Sequence, residues 1–524
     1  ATQAYRKDAT VLQKSMTNLA KTLAIFAIVV SAIIPAIGFL RGLDLQQMVL
    51  TWLALTFLMV PGQPPIIITM ALALASFESA KKKVVVKRLQ GVETLAGTTA
   101  VISDKTGTLT ENKMQLEKLI LANGETTQQE KIPNKIVENI FLALPKYSSD
   151  PTDKAVLEFL NEFGDQRQNV FSFEGFSQEQ PRRILTYRYD SGYLHAIAGK
   201  PELIIDQSAL PEEKKQSLKD KVTKEANMGK RVVAYATLKD KAEKLEKLER
   251  LAFVALAVLE DPLRQGAKEA VDILGSAKVK TYIVTGDHPA TTRTIAKKIG
   301  LGGEVITGDE LERISDADLR EKLRATRLFA RIAPSQKLRL VKALQSEGET
   351  VAVIGDGIND APAIRSANVG IAMGEIGTDL TKETADLVLT DDNFVHLPDA
   401  IAISRKAIDN FRKGLTYYLS AKAILISIFL VPLALAMPFP LMPIQIIMIE
   451  LLMDLASSTI FVTETAEPDV LMRGPQNIGY YLKRSIILKI LQNGVALAVG
   501  ILGIYLWLYF LIGDVVLAQT AVLA

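Results

Sequence analysis

The 524-residue chain contains no cysteine. That excludes disulfides, thiolate metal sites and thiol nucleophiles, and leaves the redox compartment undetermined. Histidine is almost as scarce. His195, His288 and His396 are the only three, and no two stand at helical spacing, which argues against a zinc centre. Neither sign of charge is in excess: 61 basic residues stand against 58 acidic ones, a net charge of +3. Nothing in that balance points to a nucleic-acid partner. No internal repeat or low-complexity tract stands out, and no signal peptide precedes the first apolar run. The first residue is Ala1 rather than Met and the last three are Val522-Leu523-Ala524, so the sequence reads as a piece of a longer protein.

What the chain has is long apolar runs. A hydrocarbon core needs about 20 apolar residues of helix. Residues 22–40 are uncharged, and so are 45–77, although Pro61, Pro64 and Pro65 interrupt the second run. Residues 414–449 carry one charge, Lys422, and a further run with Glu450 and Asp454 ends near Val462. Residues 490–513 are again uncharged, and another span begins near Val515. Basic residues mark one side of these runs: Lys7, Lys14 and Lys21; Lys81 to Lys83; Arg405, Lys406, Arg412 and Lys413; Lys483 and Arg484. The positive-inside tendency makes that side cytoplasmic. A multi-pass integral membrane protein is expected, in a plasma or inner membrane, with its polar part in the cytoplasm. The alternative, buried helices of a large soluble protein, is opposed by the length of several runs.

Between the second and third spans lie roughly 330 mostly polar residues, enough for two domains. Strand-like runs alternate there with helical patterns, as in α/β architecture. The stretch 118–254 is rich in Gln, Glu and Lys and reads as an insertion between two halves of one domain, 81–117 and 255–410. Residues 1–80 and 411–524 are then membrane segments.

Three strand-like segments each run into an aspartate-bearing loop. Ala100 to Ser103 precedes Asp104-Lys105-Thr106-Gly107-Thr108; Thr281 to Val284 precedes Thr285-Gly286-Asp287; Val351 to Ile354 precedes Gly355-Asp356-Gly357-Ile358-Asn359-Asp360. In an open parallel sheet, ligands bind beyond the carboxyl ends of the strands, where such loops converge. A carboxylate can attack phosphorus to give an acyl phosphate. Asp104 is the candidate nucleophile and Asp356 the candidate ligand of a hard cation such as magnesium. Lys105 and Lys337 are candidates to neutralise the phosphoryl oxygens. A strand followed by Asp and Gly is commonly a plain turn; the full strings 104–110 and 355–362 are far more specific.

Asp104 to Thr110 resembles the phosphorylation motif of the P-type ATPases, a branch of the haloacid-dehalogenase superfamily. Thr285-Gly286-Asp287 and Gly355 to Pro362 are similar to two further motifs of that family. Asp261-Pro262-Leu263-Arg264 resembles its DPxR element near an interdomain hinge, and Phe329 to Lys337 the stretch with its phosphate-site lysine. The resemblance implies a multidomain membrane protein. It would comprise a helical transmembrane bundle, an α/β Rossmann-like phosphorylation domain and an inserted α+β nucleotide-binding domain. Mg-ATP would be the donor and Asp104 the phosphorylated residue. Asp104, the Thr106 backbone and Asp356 would hold the metal, with Thr285, Gly286, Asp287, Asn359 and Asp360 completing the site. Superfamily phosphatases carry a catalytic aspartate where this chain has Thr106, which cannot act as a carboxylate base, so the acyl phosphate should persist.

The insertion resembles the family's nucleotide-binding domain more loosely. Asp153 stands at an acidic position of a DPxE-type element, and Phe176 resembles the aromatic platform, followed by Arg182 and Arg183. Arg231 belongs to a G-x-R-type segment. The family's KGAPE element reads Ala198-Gly199-Lys200-Pro201-Glu202, with Lys200 the candidate substitute for the missing lysine. The resemblance makes Asp153, Phe176, Arg182, Lys200, Arg231, Asp261 and Arg264 candidate cofactor-binding residues.

Ionisable groups at membrane depth cost about 2.5–3.5 kcal/mol on insertion scales, so they are functional candidates. Lys422, Glu450 and Asp454 qualify, and Glu450 and Asp454 share a helical face. Pro61-Gly62-Gln63-Pro64-Pro65 should unwind a helix, and its freed carbonyls, with Gly62 and Gln63, are candidate cation ligands. Calcium-pump relatives read PEGLP there; this chain has Gly62 for that glutamate, and Leu425 at a usual fifth-helix glutamate. The lost acids and gained lysine favour a proton or a monovalent ion. The family also has an actuator domain with a TGE loop; no counterpart is found, nor its first two membrane helices. A labelled but slowly turning-over phosphoenzyme is then expected. A membrane-tethered phosphatase, a non-pumping remnant and a lipid flippase are the alternatives to a cation transporter.

Overall fold

Strands Ala100–Ser103, Val351–Gly355 and Val369–Met373 are buried at every residue. Such unbroken apolar runs are what a parallel sheet covered on both faces requires. The structure, a computed structural model, describes residues 11–523 apart from 43, 60–62, 128–131, 149, 165–168, 177–179, 190–191, 246–247, 436 and 476–483. Its larger sheet has eight strands, in the order Val84–Val86, Leu387–Leu389, Val369–Met373, Val351–Gly355, Ala100–Ser103, Lys280–Val284, Leu328–Ala330, Val305–Thr307. All pairs are parallel except the first.

Ser103 stands opposite both Ile283 and Ile354. The three aspartate loops therefore leave three adjacent strands at one edge of the sheet. The chain passes to one side of Ala100–Ser103 and later returns to the other, which makes this edge a topological switch point. Alternate residues supply two cores. Val101, Ile283 and Ile354 pack with Val271 and Leu274 of the helix Ala267–Ser276. Ile102, Tyr282 and Val353 pack with Leu340 and Leu344 of the helix Pro334–Ser346.

The second sheet has seven strands, all antiparallel: Thr126–Thr127, Gln115–Leu121, Ala252–Glu260, Arg231–Asp240, Gly192–Gly199, Arg182–Tyr189 and Ser172–Glu174. Helices Asn134–Leu142 and Pro151–Phe159 cover one face, and Pro201–Asp206 and Glu212–Asn227 the other. The chain enters this unit after Thr110 and leaves it after Glu260. The two crossings are tied together: Thr110 pairs with Leu263, and its hydroxyl donates to Asp261 Oδ2 at 2.6 Å. Arg264 Nε donates to the Thr110 carbonyl at 3.1 Å and its Nη2 to the Gly107 carbonyl at 3.2 Å.

The long helices before Val84 and after Asn393 are largely apolar. Among the described residues, two stretches are long and apolar enough to cross a membrane, 394–432 and 486–512. The two runs expected between 414 and 462 are two helices, Leu397–Ala434 and Pro443–Ile460, with the boundary at 434–443 rather than at 449. Pro438, Pro440 and Pro443 explain the break, since each lacks an N–H and restricts the residue before it. The run 45–77 is likewise divided into Leu45–Met59 and Gln63–Lys81. Leu397–Ala434 begins in the core of the larger sheet, where Leu397, Ala400 and Ile401 are buried. Farther along it packs Leu415 against Ile67 and Leu425 against Leu55. Arg405, fully buried, donates to the carbonyls of Ala277 at 2.9 Å and Arg473 at 2.8 Å. Lys406 forms an ion pair with Glu78 at 2.7 Å.

Ile102 is inaccessible on the central strand, whereas Ile358 is 63% exposed on a loop. Ile102→Ala should lower unfolding stability by about 2–5 kcal/mol, and Ile358→Ala by no more than about 0.5 kcal/mol. Denaturant titration of the two variants side by side checks the contrast.

Candidate active site

Asp104 is the first residue beyond the central strand and caps the turn that follows; its Oδ1 accepts from the Lys105 amide at 2.5 Å. Lys337, on the first turn of Pro334–Ser346, reaches it from the side. Lys337 Nζ donates to Asp104 Oδ2 at 3.2 Å and to Asp360 Oδ1 at 2.6 Å. Asp360 Oδ2 in turn accepts from the Asp356 amide at 3.3 Å. Asp360 lies so close to Gly355 that a Cβ there would stand 2.4 Å from Asp360 Oδ2. The third loop joins through Asp287, whose carboxylate pairs with Lys105 Nζ and accepts from Thr106 Oγ1 at 3.2 Å. The buried Thr285 accepts from the Asp287 amide at 3.2 Å and fixes that turn. Gly286 and Asn359 are exposed on their loops. Asp104, Lys105, Thr106, Asp287, Lys337, Asp356 and Asp360 are thus gathered at one place from four separate stretches of chain. Lys105, expected at the phosphoryl oxygens, is spent on Asp287 in this conformation.

The charges here do not balance by contact alone. Burial, and then the neighbouring carboxylates of Asp360 and Asp104, hold the Asp356 carboxyl above its ordinary value. Lys337 is buried, which by itself would lower its pKa, but Asp104 and Asp360 outweigh burial and keep the ammonium above its usual range. Gly107, at φ +73°, brings the backbone against Asp356: a Cβ would lie 3.1 Å from Asp356 Oδ2. Two repelling carboxylates beside a closely approaching backbone suit a hard divalent cation with oxygen ligands and retained waters. Among the described residues, no group of three or more acidic or histidine side chains forms a metal site alone, so backbone and substrate oxygens would complete this one.

A fourth strand contributes a loop that the sequence reading passed over. After Val369–Met373, the Glu375 and Ile376 amides donate to Asp392 at 2.8 and 2.9 Å, and the Thr378 amide to the Asp356 carbonyl at 3.0 Å. Ile376 is thereby laid over Gly107, where a Cβ would meet its Cδ1 at 2.8 Å. The signal was available, since Gly374 follows this strand as glycines follow the others.

Residues 98–368, half of the chain, match the haloacid dehalogenase-like hydrolase family. The chain belongs to that family. Residues 438–524 match a second family, the C-terminus of cation-transporting ATPases. The chain is 30% identical over 531 residues to calcium-transporting ATPase 1 of Bacillus cereus, covering 94% of itself and 59% of that protein. It is also 30% identical over 557 residues to calcium-transporting ATPase 1 of Saccharomyces cerevisiae, covering 95% and 59%. With calcium-transporting ATPase type 2C member 2 of Rattus norvegicus the figures are 30% over 547 residues, 95% and 57%. The chain therefore spans about three fifths of the length of the curated relatives it matches. The second match and these relatives make this dehalogenase-like hydrolase similar to cation-transporting ATPases.

In the hydrolase's second sheet, the predicted nucleotide residues share one end. Arg182 pairs with Gly199, Arg231 with Leu259, and Gln115 with Glu260. Phe176 follows the edge strand at the same end and is 65% exposed; Lys200 and Arg231 are also exposed. This is the end from which the chain returns to Asp104. Asp153 differs: it is buried, and its oxygens are taken by Arg183 at 2.7 and 2.8 Å and by Ser148 at 2.6 Å. It therefore orients Arg183. Of the basic pair only one residue can face Asp153, because neighbours in a strand point to opposite faces. Arg231 and Arg183 stand near Asp150, whose carboxyl lies below its ordinary value. Burial acts against that shift, and the Thr152 hydrogen bonds and the two arginines outweigh it. Asp261 and Arg264 are bonded to Thr110 and Gly107 at the hinge.

In the membrane-type helices, Lys422 forms an ion pair with Glu450, both buried, and lies 5.0 Å from the Tyr418 ring centre. The other oxygen of Glu450 has no hydrogen-bond partner among the described residues. Gly62 lies outside the described residues. Gln63 opens the helix Gln63–Lys81 and Asp454 lies on Pro443–Ile460, but their side chains are not among those described.

Because the Asp356 carboxyl is raised in the folded state, its ionisation costs stability from pH about 4 upward. Asp356→Asn should raise the melting temperature of magnesium-free protein at pH 7. Added magnesium should stabilise the unsubstituted protein but not the variant. Thermal scans with and without the ion check both halves. Lys337→Met leaves the buried Asp360 and the half-buried Asp104 without their ammonium and should cost about 3–5 kcal/mol, read by denaturant titration.

Proposed function

We propose that this chain carries the catalytic and membrane-coupled machinery of an ATP-driven cation pump working through an aspartyl phosphate on Asp104. The observation that carries the reading is Lys337, buried and bonded to Asp104 and Asp360 at once. An ammonium in that place serves a site where negative charge arrives, which is the main demand of phosphoryl transfer.

A nucleotide bound at the Phe176 and Arg231 end of the second sheet directs its phosphates toward the hinge. Phe176 offers a free aromatic face to the base, and Arg231 offers its guanidinium group to phosphate or ribose. Asp104 Oδ attacks the γ-phosphorus and forms the new O–P bond. The bond from that phosphorus to the β–γ bridging oxygen breaks, and ADP leaves with the electron pair. Lys337 stays with the Asp104 and phosphoryl oxygens. A magnesium ion held by Asp104, Asp356 and the Thr106 backbone would supply the remaining neutralisation of phosphoryl charge. Thr106, with its hydroxyl on Asp287, offers no carboxylate to activate water, so the acyl phosphate lasts. That persistence separates a pump from a membrane-tethered phosphatase.

Transport is read at Lys422 and Glu450. The named relatives are calcium-transporting. In this chain, however, Leu425 packs against Leu55 where such relatives use an acid, and Lys422 supplies a positive charge inside the bundle. A resident ammonium opposes two calcium ions and suits a proton or monovalent ion, with the unpartnered Glu450 oxygen as acceptor. The protein is then multi-pass, with its two sheet domains in the cytoplasm.

Incubation with γ-labelled ATP and magnesium should give acid-stable, hydroxylamine-sensitive label, and Asp104→Asn should abolish it. Label that survives this substitution refutes the reading. Micromolar calcium should not strongly stimulate labelling; if it does, the internal counter-ion is wrong while the phosphoenzyme stands.

A further inference from the structure

The two sheet domains meet away from their hinge as well as at it. Gly229, at φ +81°, presses on helix Pro289–Lys298: a Cβ there would stand 2.6 Å from Thr291 Cα and 2.9 Å from its Oγ1. Beside this contact, Lys298 Nζ donates to Glu260 Oε2 at 3.0 Å. Thr291 lies four residues after Asp287, and Gly229 two residues before Arg231. The contact therefore joins the loop of the nucleotide arginine to the helix that begins at a phosphoryl-site loop.

The Gly229 turn is braced. Lys230 is paired with Glu117 at 2.5 Å and Glu225 at 3.1 Å, and Glu225 also takes Lys118 at 2.8 Å. Burial acts to raise the Glu225 carboxyl, but the two lysines outweigh it and hold it below its ordinary value. The Gly229 and Lys230 amides donate to the carbonyls of Ala226 at 2.9 Å and Glu225 at 3.1 Å. A turn held by four buried or half-buried charges and two backbone bonds yields little when pushed. Only a residue without a side chain lets it reach the Thr291 backbone.

We infer that Gly229 and Thr291 form the stop at which the two domains close, and that this stop sets the distance from the nucleotide's γ-phosphate to Asp104. The inference rests on the phosphoenzyme reading and adds to it a positioning pair that touches neither nucleotide nor Asp104. Bulk at the stop props the domains apart. A donor that spans both domains suffers, while one that needs only the larger domain does not.

The test compares labelling from ATP with labelling from acetyl phosphate, which has no nucleotide. Gly229→Val places a wedge on one side and Thr291→Leu on the other. Gly164→Val is the control for backbone strain, because Gly164 has φ +74° but open space around it. Both wedges should slow labelling from ATP by about 10–100-fold, the loss expected from a displacement near 1 Å. Labelling from acetyl phosphate should be unchanged, and the control should match the unsubstituted protein with either donor. Undiminished labelling of the wedge variants from ATP, or an equal loss with both donors, overturns the inference while leaving the phosphoenzyme standing. No label from either donor in the unsubstituted protein sinks the phosphoenzyme reading, and this inference with it.

Discussion

Like charges packed at the end of a sheet are the constraint to which the rest of this molecule answers. Asp104, Asp356 and Asp360 converge, and Lys337 is the ammonium that touches two of them. Breaking a buried carboxylate–ammonium contact costs about 3–5 kcal/mol, so the lysine cannot be absent. Nor is one lysine enough once a phosphoryl group arrives with further negative charge. The arrangement therefore calls for a cation beside the lysine. That gives physical reasons for features far from the chemistry: Gly355 is glycine because Asp360 fills the space of its side chain, and Gly107 because Asp356 and Ile376 fill the space beside it.

How much of this was legible in the sequence follows from which forces act locally. The three central strands could be read because a doubly covered parallel sheet demands unbroken apolar runs, and the loops because Asp and Gly follow those runs directly. Their convergence followed from the general rule for parallel sheets. The charge assignments were less readable. Lys105 follows Asp104 immediately, yet its ammonium goes to Asp287; Asp153 has the sequence position of a ligand contact, yet its oxygens are spent on Arg183 and Ser148. The Lys105–Asp287 and Asp153–Arg183 pairings join elements about 180 and 30 residues apart, which no local pattern encodes. The break between 434 and 443 is carried by three prolines, whereas a boundary set by where charge returns falls later, at 449–450. The Gly229 contact left no local signal, since its glycine answers to a backbone more than 60 residues away.

One element ties the two ends of the protein together. The helix Leu397–Ala434 starts inside a core of the larger sheet and carries Lys422 about 37 Å farther on, at 1.5 Å per residue. Asp392, which holds the Glu375 and Ile376 amides over the Asp104 loop, lies five residues before that helix. Arg405 fastens the same helix to the carbonyl of Ala277, at the end of a sheet-covering helix, and to the loop beyond Ile460. Movement at the carboxyl edge of the sheet therefore has a short, packed route into the membrane-type helices.

That route joins two carboxylate–ammonium pairs, half-buried Asp104 with buried Lys337, and buried Glu450 with Lys422. In the proposed pump each changes its charge balance once per cycle: the first when a phosphoryl group arrives on Asp104, the second when a cation or proton takes the free Glu450 oxygen. Both pairs sit in low-dielectric surroundings, where such changes are worth several kcal/mol rather than tenths. A rigid helix anchored at both places lets each pair bias the arrangement of the other. Any coupling free energy is reciprocal, so an ion that favours phosphorylation is itself bound more tightly once Asp104 is phosphorylated. Two lysines, one at each end of a single helix's reach, are the physical means by which chemistry at the sheet edge and charge in the bundle are made one equilibrium.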